Sequence, residues 1–211
     1  SYHDIWTNPM ISTVNPSVHY TYDALTTAKP TGSTCFDNWS AYCRIQINYI
    51  EHIQPLWQIP RQQFDGKSQE LIADNTCVGC HSVVDNNMLS QVPLGQLDLS
   101  ATVSTDEPAH LTSYRELFFN DVEQEVVEGI IVDKLIEQRD ENGNIVYQRD
   151  AQGELLLDAE QNPIPVLITV TVDAVLSTNG ARASGGFFKL FRGGSHDGML
   201  SASELKLISE W

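Results

Sequence analysis

Cys77, Val78, Gly79, Cys80 and His81 set two thiols three positions apart with an imidazole directly after the second. On a turn of helix that spacing brings both sulfurs to one side. From there they can add to the two vinyl groups along one edge of a porphyrin while the adjacent His binds iron axially. Cys-x-x-Cys-His is the attachment signature of a c-type haem. Two other chemistries use paired cysteines. A thioredoxin-like dithiol would have a strand ending at the first Cys and a helix beginning there, whereas Ser68 to Asp74 reads as a helix-like stretch. A zinc knuckle would recruit Cys35 and Cys43, which are set wider apart than the roughly two to four residues usual for a zinc pair. Neither needs the His that follows at once. The expectation is one covalent haem c, attached through Cys77 and Cys80, with iron on His81.

Iron held by His81 on one side leaves a position on the other, and several side chains compete for it. Met10 sits in a turn-rich segment, and Met88 follows His81 too closely to wrap over to the opposite face of a ring. His3 and His19 share the segment of Met10, and His110 lies in a polar loop after Pro108. His52 precedes Ile53-Gln54-Pro55 and is equally suited to cap a helix or to contact a haem propionate. His196 lies in Gly193-Gly194-Ser195-His196-Asp197-Gly198, a glycine-rich loop expected to be flexible, where backbone freedom lets an imidazole reach iron. His196 therefore leads, His52 is the runner-up, and Met199 comes after them.

Covalent haem is added after export, which points to a periplasmic or secreted protein in an oxidising compartment. There a disulfide is the default for Cys35 and Cys43. Closing so short a loop would stabilise by about 2–3 kcal/mol on the chain-entropy account. The 211 residues suit a single domain, with 41% hydrophobic and 19% charged residues in the globular range. No apolar run approaches the roughly 18 residues of a membrane helix. Twelve Lys and Arg stand against 28 Asp and Glu, a formal charge of −16. That field repels nucleic acid and anionic lipid.

The elements that must position the motif follow from pattern. Residues 1–34 are polar, cut by Asn8-Pro9, Asn15-Pro16 and Lys29-Pro30, and read as a surface arm. Cys35 to Pro60 is dense in aromatic and branched residues and reads as core. Ser113-x-x-Glu116 and Ser201-x-x-Glu204 have capping-box spacing and predict two helix starts. From about 125 to 172, β-rich runs alternate with turns at 140–144, 150–153 and 161–163, an antiparallel hairpin insertion. Its acidic turns read as hairpin turns ahead of calcium loops. Gly193 to Glu204 also imitates an EF-hand loop, but Gly193 and Ser195 stand where carboxylates are required. The expected fold is a mainly α cytochrome c-like domain, 1–211, built around one haem and carrying that insertion. Leu200, Leu205, Ile208 and Trp211 mark one helix face that would continue past the last residue, and residues 1–20 lack the pattern of a signal peptide. The chain reads as a domain excised from a longer polypeptide.

Three segments carry a resemblance. Cys43-Arg44-Ile45-Gln46-Ile47-Asn48-Tyr49 with His52 to Trp57, Thr76 to Ser82, and Asn179 to Ser184 with Gly193 to Gly198 and Leu200 to Trp211 are together similar to the haem region of proteins related to the hydrazine synthase alpha subunit. Similar domains occur in large secreted multidomain cytochromes of marine polysaccharide-degrading bacteria, sometimes beside carbohydrate-binding modules. The likeness covers roughly 35–120 and 174–211, leaves 1–34 unmatched and makes 130–170 an insertion. It implies electron transfer through one haem whose distal ligand is His196, a bis-His, low-spin centre. It does not imply hydrazine synthesis. The alternative is a peroxidase-like haem enzyme or ligand-binding domain with an open sixth iron position. A polysaccharide-binding module using Trp6, Trp39 or Trp57 as stacking platforms comes third. The redox partner is not legible.

Overall fold

A computed structural model describes residues 26–28, 47–85, 87–180 and 183–211. The disulfide expected between Cys35 and Cys43 lies outside the described residues, as do Met10, His3, His19, Trp6, Trp39 and all of the 1–34 arm except 26–28.

Asn48 opens the first helical segment: its side chain accepts the N–H groups of Ile50 and Glu51, at 2.9 and 3.3 Å. A π-helical turn, Tyr49–Ile53, runs from there into α1, Gln54–Gln58. The wide turn leads up to Pro55, which has no N–H to donate. Ile53, Leu56 and Trp57 are fully buried on one side of this segment. The chain then turns back on itself as an antiparallel hairpin, β1 Gln62–Phe64 against β2 Leu71–Asp74. Asp65 makes the turn, its carboxylate accepting the N–H groups of Lys67 at 2.8 Å and Ser68 at 2.7 Å. The stretch Ser68 to Asp74, expected to be helix-like, is thus largely strand. One helical turn follows, α2 Cys77–Cys80, and further on α3, Thr112–Phe118.

Eight strands form four two-stranded antiparallel sheets among the described residues. Six of the eight lie between 121 and 172. β3 Asp121–Val122 pairs with β8 Thr171–Val172 at the base of the insertion. β4 Gln124–Val127 pairs with β5 Ile130–Asp133 across Glu128 and Gly129, whose φ values of 52° and 81° suit a tight type I′ turn. β6 Leu135–Glu137 pairs with β7 Leu167–Thr169. Beyond β6, Asp140, Asp150 and Asp158 each accept the main-chain N–H groups two and four residues on, within 2.8–2.9 Å. Three segments then meet in closed rings of hydrogen bonds. Gln138 donates to Val166, Val166 to Val146 and Val146 to Gln138, and Gln148, Ile164 and Leu156 repeat the cycle.

α4, Gly185–Leu190, and α5, Ala202–Glu210, complete the core. α5 begins with the expected capping box: Ser201 Oγ accepts the Glu204 N–H, and Glu204 reaches back to the Ser201 N–H. The box expected at Ser113 is absent. Leu111 is the N-cap, and the buried Ser113 hydroxyl instead accepts from Tyr49 Oη at 2.8 Å and donates to Gln54 Oε1. The core gathers Tyr49, Ile53, Leu56 and Trp57 against Leu117, Phe187, Leu207 and Ile208.

The expected mainly α cytochrome c-like fold is therefore corrected. Helix makes up 24% of the described residues and strand 22%. No described helix exceeds nine residues. Pro60 and Gly193 follow closely on the ends of α1 and α4, Gly66 lies in the turn of the β1–β2 hairpin, and the insertion contributes strand. No residue from 119 to 175 is buried, so the insertion stands outside the core. No helix among the described residues is long and apolar enough to cross a membrane.

Candidate functional site

β2 delivers the chain to the Cys-x-x-Cys-His segment. The Asp74 carboxylate accepts the Thr76 N–H at 2.9 Å, and the Thr76 hydroxyl accepts the Arg61 N–H at 2.9 Å, so the hairpin and the start of α2 are tied together. The His81 N–H donates to Cys77 O at 2.8 Å, which closes the helical turn and stacks Cys77 above Cys80. Both are free thiols, Cys77 partly buried and Cys80 exposed. Burial raises the Cys77 pKa, against the lowering effect of the Arg61 guanidinium beside it.

His81 Nδ1 lies 3.2 Å from Leu97 O, and since a carbonyl only accepts, Nδ1 carries the proton. Nε2 is left with its lone pair available, the state a metal-binding imidazole requires. Burial lowers the His81 pKa, which keeps the ring neutral near pH 7.

His196 comes from the segment between α4 and α5. It was expected in a flexible loop, but the glycines serve a fixed turn. Gly193 and Gly198 have φ of 79° and 75°, and a Cβ on Gly194 would lie 2.7 Å from Leu190 O. The His196 N–H donates to that same carbonyl at 3.0 Å, the Gly193 N–H to Asp197 Oδ1 at 3.0 Å and the Met199 N–H to His196 O at 3.1 Å. Thus wound onto the end of α4, the loop rests the imidazole against Phe191, with ring centres 5.4 Å apart. Ser195 Oγ hydrogen-bonds His196 Nδ1 at 2.8 Å.

The two imidazoles face one another with ring centres 5.9 Å apart and planes inclined by 33°. Between and around them runs a cleft of about 440 Å³, within the range of cofactor pockets. Cys77, Cys80 and His81 border it, as do His196 and Met199, and Trp57, Leu97, Leu99, Leu117, Phe187 and Phe191 make its walls apolar. Metal–imidazole bonds of about 2.0–2.1 Å on opposite sides of one ion place the ring centres roughly 6 Å apart, which the observed spacing fits. Among the described residues no group of three or more His, Cys, Asp or Glu is placed to hold a metal ion alone. Two imidazoles with two thiols at an apolar slot suit a metal whose remaining ligands come from a flat macrocycle.

The other candidates lie elsewhere. His52, the runner-up, is buried in the π-helical turn, its Nδ1 beside Asn48, and does not line the cleft. His110 packs on Tyr114 and Phe119. Met88 is 79% exposed. Trp57 is fully buried, so it offers no stacking surface for a sugar ring. The expectation against a thioredoxin-like site rested partly on a helix before Cys77, and that support is lost because β2 stands there. Different observations take its place: β2 belongs to a two-stranded hairpin, α2 is a single turn, and the Cys77 pKa is raised where a dithiol nucleophile needs it lowered.

Three contributors were not foreseen. Leu97 supplies a main-chain carbonyl, which carries no sequence signal. Arg61 and Glu204 form a mostly buried ion pair, and Glu204 is legible only in its second role as a helix cap. Comparisons with family models, with curated proteins and with solved structures find no match to the chain.

Proposed function

We propose that the chain holds one covalently attached haem c, through thioethers at Cys77 and Cys80 and with His81 and His196 as axial ligands, and that it transfers electrons outside the cytoplasm. The observation that carries this reading is the facing of His81 and His196 across an apolar cleft that both cysteines border. The haem would supply a one-electron couple. The protein supplies the rest. Leu97 O fixes the tautomer of His81, Ser195 and the glycine turn fix His196, and Phe187, Phe191 and Leu117 exclude water from the slot. Holding both ligands before anything binds reduces the ordering that binding would otherwise require.

In line with the resemblance noted above, the chain would work as a module of a larger secreted or periplasmic redox protein linked to polysaccharide degradation, passing electrons to a partner protein. Expression in a haem-attaching host tests the core of the reading. The mass should rise by one haem, the pyridine haemochrome should be of c type, and both oxidation states should be low-spin. Absence of covalent haem sinks it. Prompt binding of CO or cyanide to the native protein would instead support the haem enzyme or ligand-binding domain with an open sixth position.

A further inference from the structure

α4 and α5 border a groove of about 760 Å³, lined by Gly185, Phe188, Lys189, Arg192, Lys206 and Ser209. Three of the chain's 12 Lys and Arg side chains thus converge at one place on a protein of formal charge −16. No carboxylate is among the lining residues. Lys206 pairs with Glu210 one turn on along α5. Lys189 and Arg192 are exposed and have no carboxylate partner among the described residues. Asp197, the first acidic residue after Arg192 in the chain, accepts the Gly193 N–H at 3.0 Å. The groove backs onto the cleft that holds the two imidazoles. Leu190 and Phe191, which lie between Lys189 and Arg192 in sequence, line that cleft, as does Phe187. The Phe188 ring on the groove side stands edge-on to the Phe187 ring on the cleft side, with centres 5.2 Å apart.

We propose that this groove is the docking site of a small polyanionic electron carrier, one bearing several carboxylate or phosphate groups, which exchanges an electron with the haem across the Phe187–Phe188 contact. The electron exchange rests on the haem reading above. A guanidinium presents a planar fork to carboxylate or phosphate oxygens, and the two ammonium groups add point charges beside it. The rest of the surface decides the size of the occupant. At physiological salt a charge is felt over roughly 8 Å. A small anion seated in the groove therefore meets the three cations, whereas an acidic protein face would extend onto the acidic remainder of the chain and be repelled. In the exchange, ferrous haem gives one electron to the carrier and becomes ferric, or the reverse, and no bond is made or broken.

The test uses the full chain, matured in a haem-attaching host and reduced with dithionite, which is then removed. It is mixed in stopped flow with trianionic ferricyanide or tricationic tris(phenanthroline)cobalt(III), from about 10 mM to about 150 mM salt, where the screening length falls from roughly 30 Å to 8 Å. Ferricyanide should oxidise wild type more slowly as salt rises, the reverse of what the overall negative charge alone dictates. Lys189→Gln combined with Arg192→Gln should cut the low-salt ferricyanide rate about tenfold, make it rise with salt, and leave the cobalt rate undiminished. If the double variant fails to fold, each single variant should show a smaller loss in the same direction. At fixed ionic strength, citrate and tripolyphosphate should slow ferricyanide oxidation of wild type, and the stronger competitor identifies the carboxylate or the phosphate class. A wild-type ferricyanide rate that rises with salt, or variants that react like wild type, overturns the proposal and leaves the haem reading standing. Competition by polyglutamate alone assigns the groove to an acidic protein and overturns it as well. A wild type that takes up no haem overturns the reading beneath it and this proposal together.

Discussion

His81 and His196 stand with ring centres 5.9 Å apart although one ends a helical turn and the other closes the loop after α4. Each ring has a partner at Nδ1, Leu97 O for His81 and Ser195 Oγ for His196, so the protein itself orients both. On the haem reading proposed above, replacing His196 should change the iron and leave attachment intact. His196→Ala is expected to open the sixth position, giving high-spin spectra and prompt CO binding in the matured protein. His196→Met should raise the midpoint potential, as Met/His ligation does in cytochromes. A His196→Ala protein that remains low-spin with an unchanged potential would mean that another group, Met199 first, is the ligand.

The position of His196 depends on a place where no side chain fits. A Cβ on Gly194 would stand 2.7 Å from Leu190 O and 2.8 Å from Leu190 Cα, both main-chain atoms that cannot swing aside. Gly194→Ala should cost about 1–3 kcal/mol through forced displacement of the turn, and it should loosen His196 from iron. Gly66 has open space around its missing Cβ. Gly66→Ala is the matched control and should melt like wild type, with no change in the spectrum.

The motif was legible because its chemistry is contiguous: two thiols and an imidazole within five residues leave few alternatives. His196 was marked by its glycines, although their physical role is to permit a close approach and two positive φ values, not to give freedom. Long-range partners were illegible. Ser113 has the spacing of a cap, yet Tyr49 and Gln54 take its hydroxyl, and neither is near it in sequence. The hairpin before the motif did have a signal in Asp65-Gly66, a turn dipeptide ahead of Leu71-Ile72. The apolar residues after it fit a helical period equally well, and pairing with Gln62–Phe64 decided the outcome.

Because β3 and β8 bring the ends of the insertion together, and nothing between 119 and 175 is buried, the insertion should be removable. Joining Gln124 to Val170 through Asn-Gly keeps the Glu123 N–H bond to Val170 O and the Gln96–Gln124 hydrogen bonds. The shortened chain should mature with one haem and lose about 1 kcal/mol or less, since shorter loop closure offsets part of the lost pairing. Failure to attach haem, or a stability loss of several kcal/mol in urea unfolding, would show that the insertion supports the core.

Glu116 makes the pH dependence specific. It is half-buried on α3, and its pKa is pushed up to about 8 by burial first, then by its hydrogen bond to Asp121, whose charge also opposes its ionisation, as does that of Asp98. The folded protein thus holds a proton that the unfolded chain releases near its ordinary value of 4.5. The stability this contributes is complete below that value and is lost as pH rises through about 8. Asp65, Asp74 and Asp85 have lowered pKa values from hydrogen bonds, so their contributions vanish only in acid, below 3.8. Burial lowers His81 from 6.5, which moves it away from the range near pH 8 in which Glu116 titrates. Between pH 7 and 9 the melting temperature of wild type should therefore fall, while Glu116→Gln, which keeps the bond to Asp121 without the titration, should hold nearly level. Parallel curves for the two proteins over that window would show that Glu116 is ionised throughout.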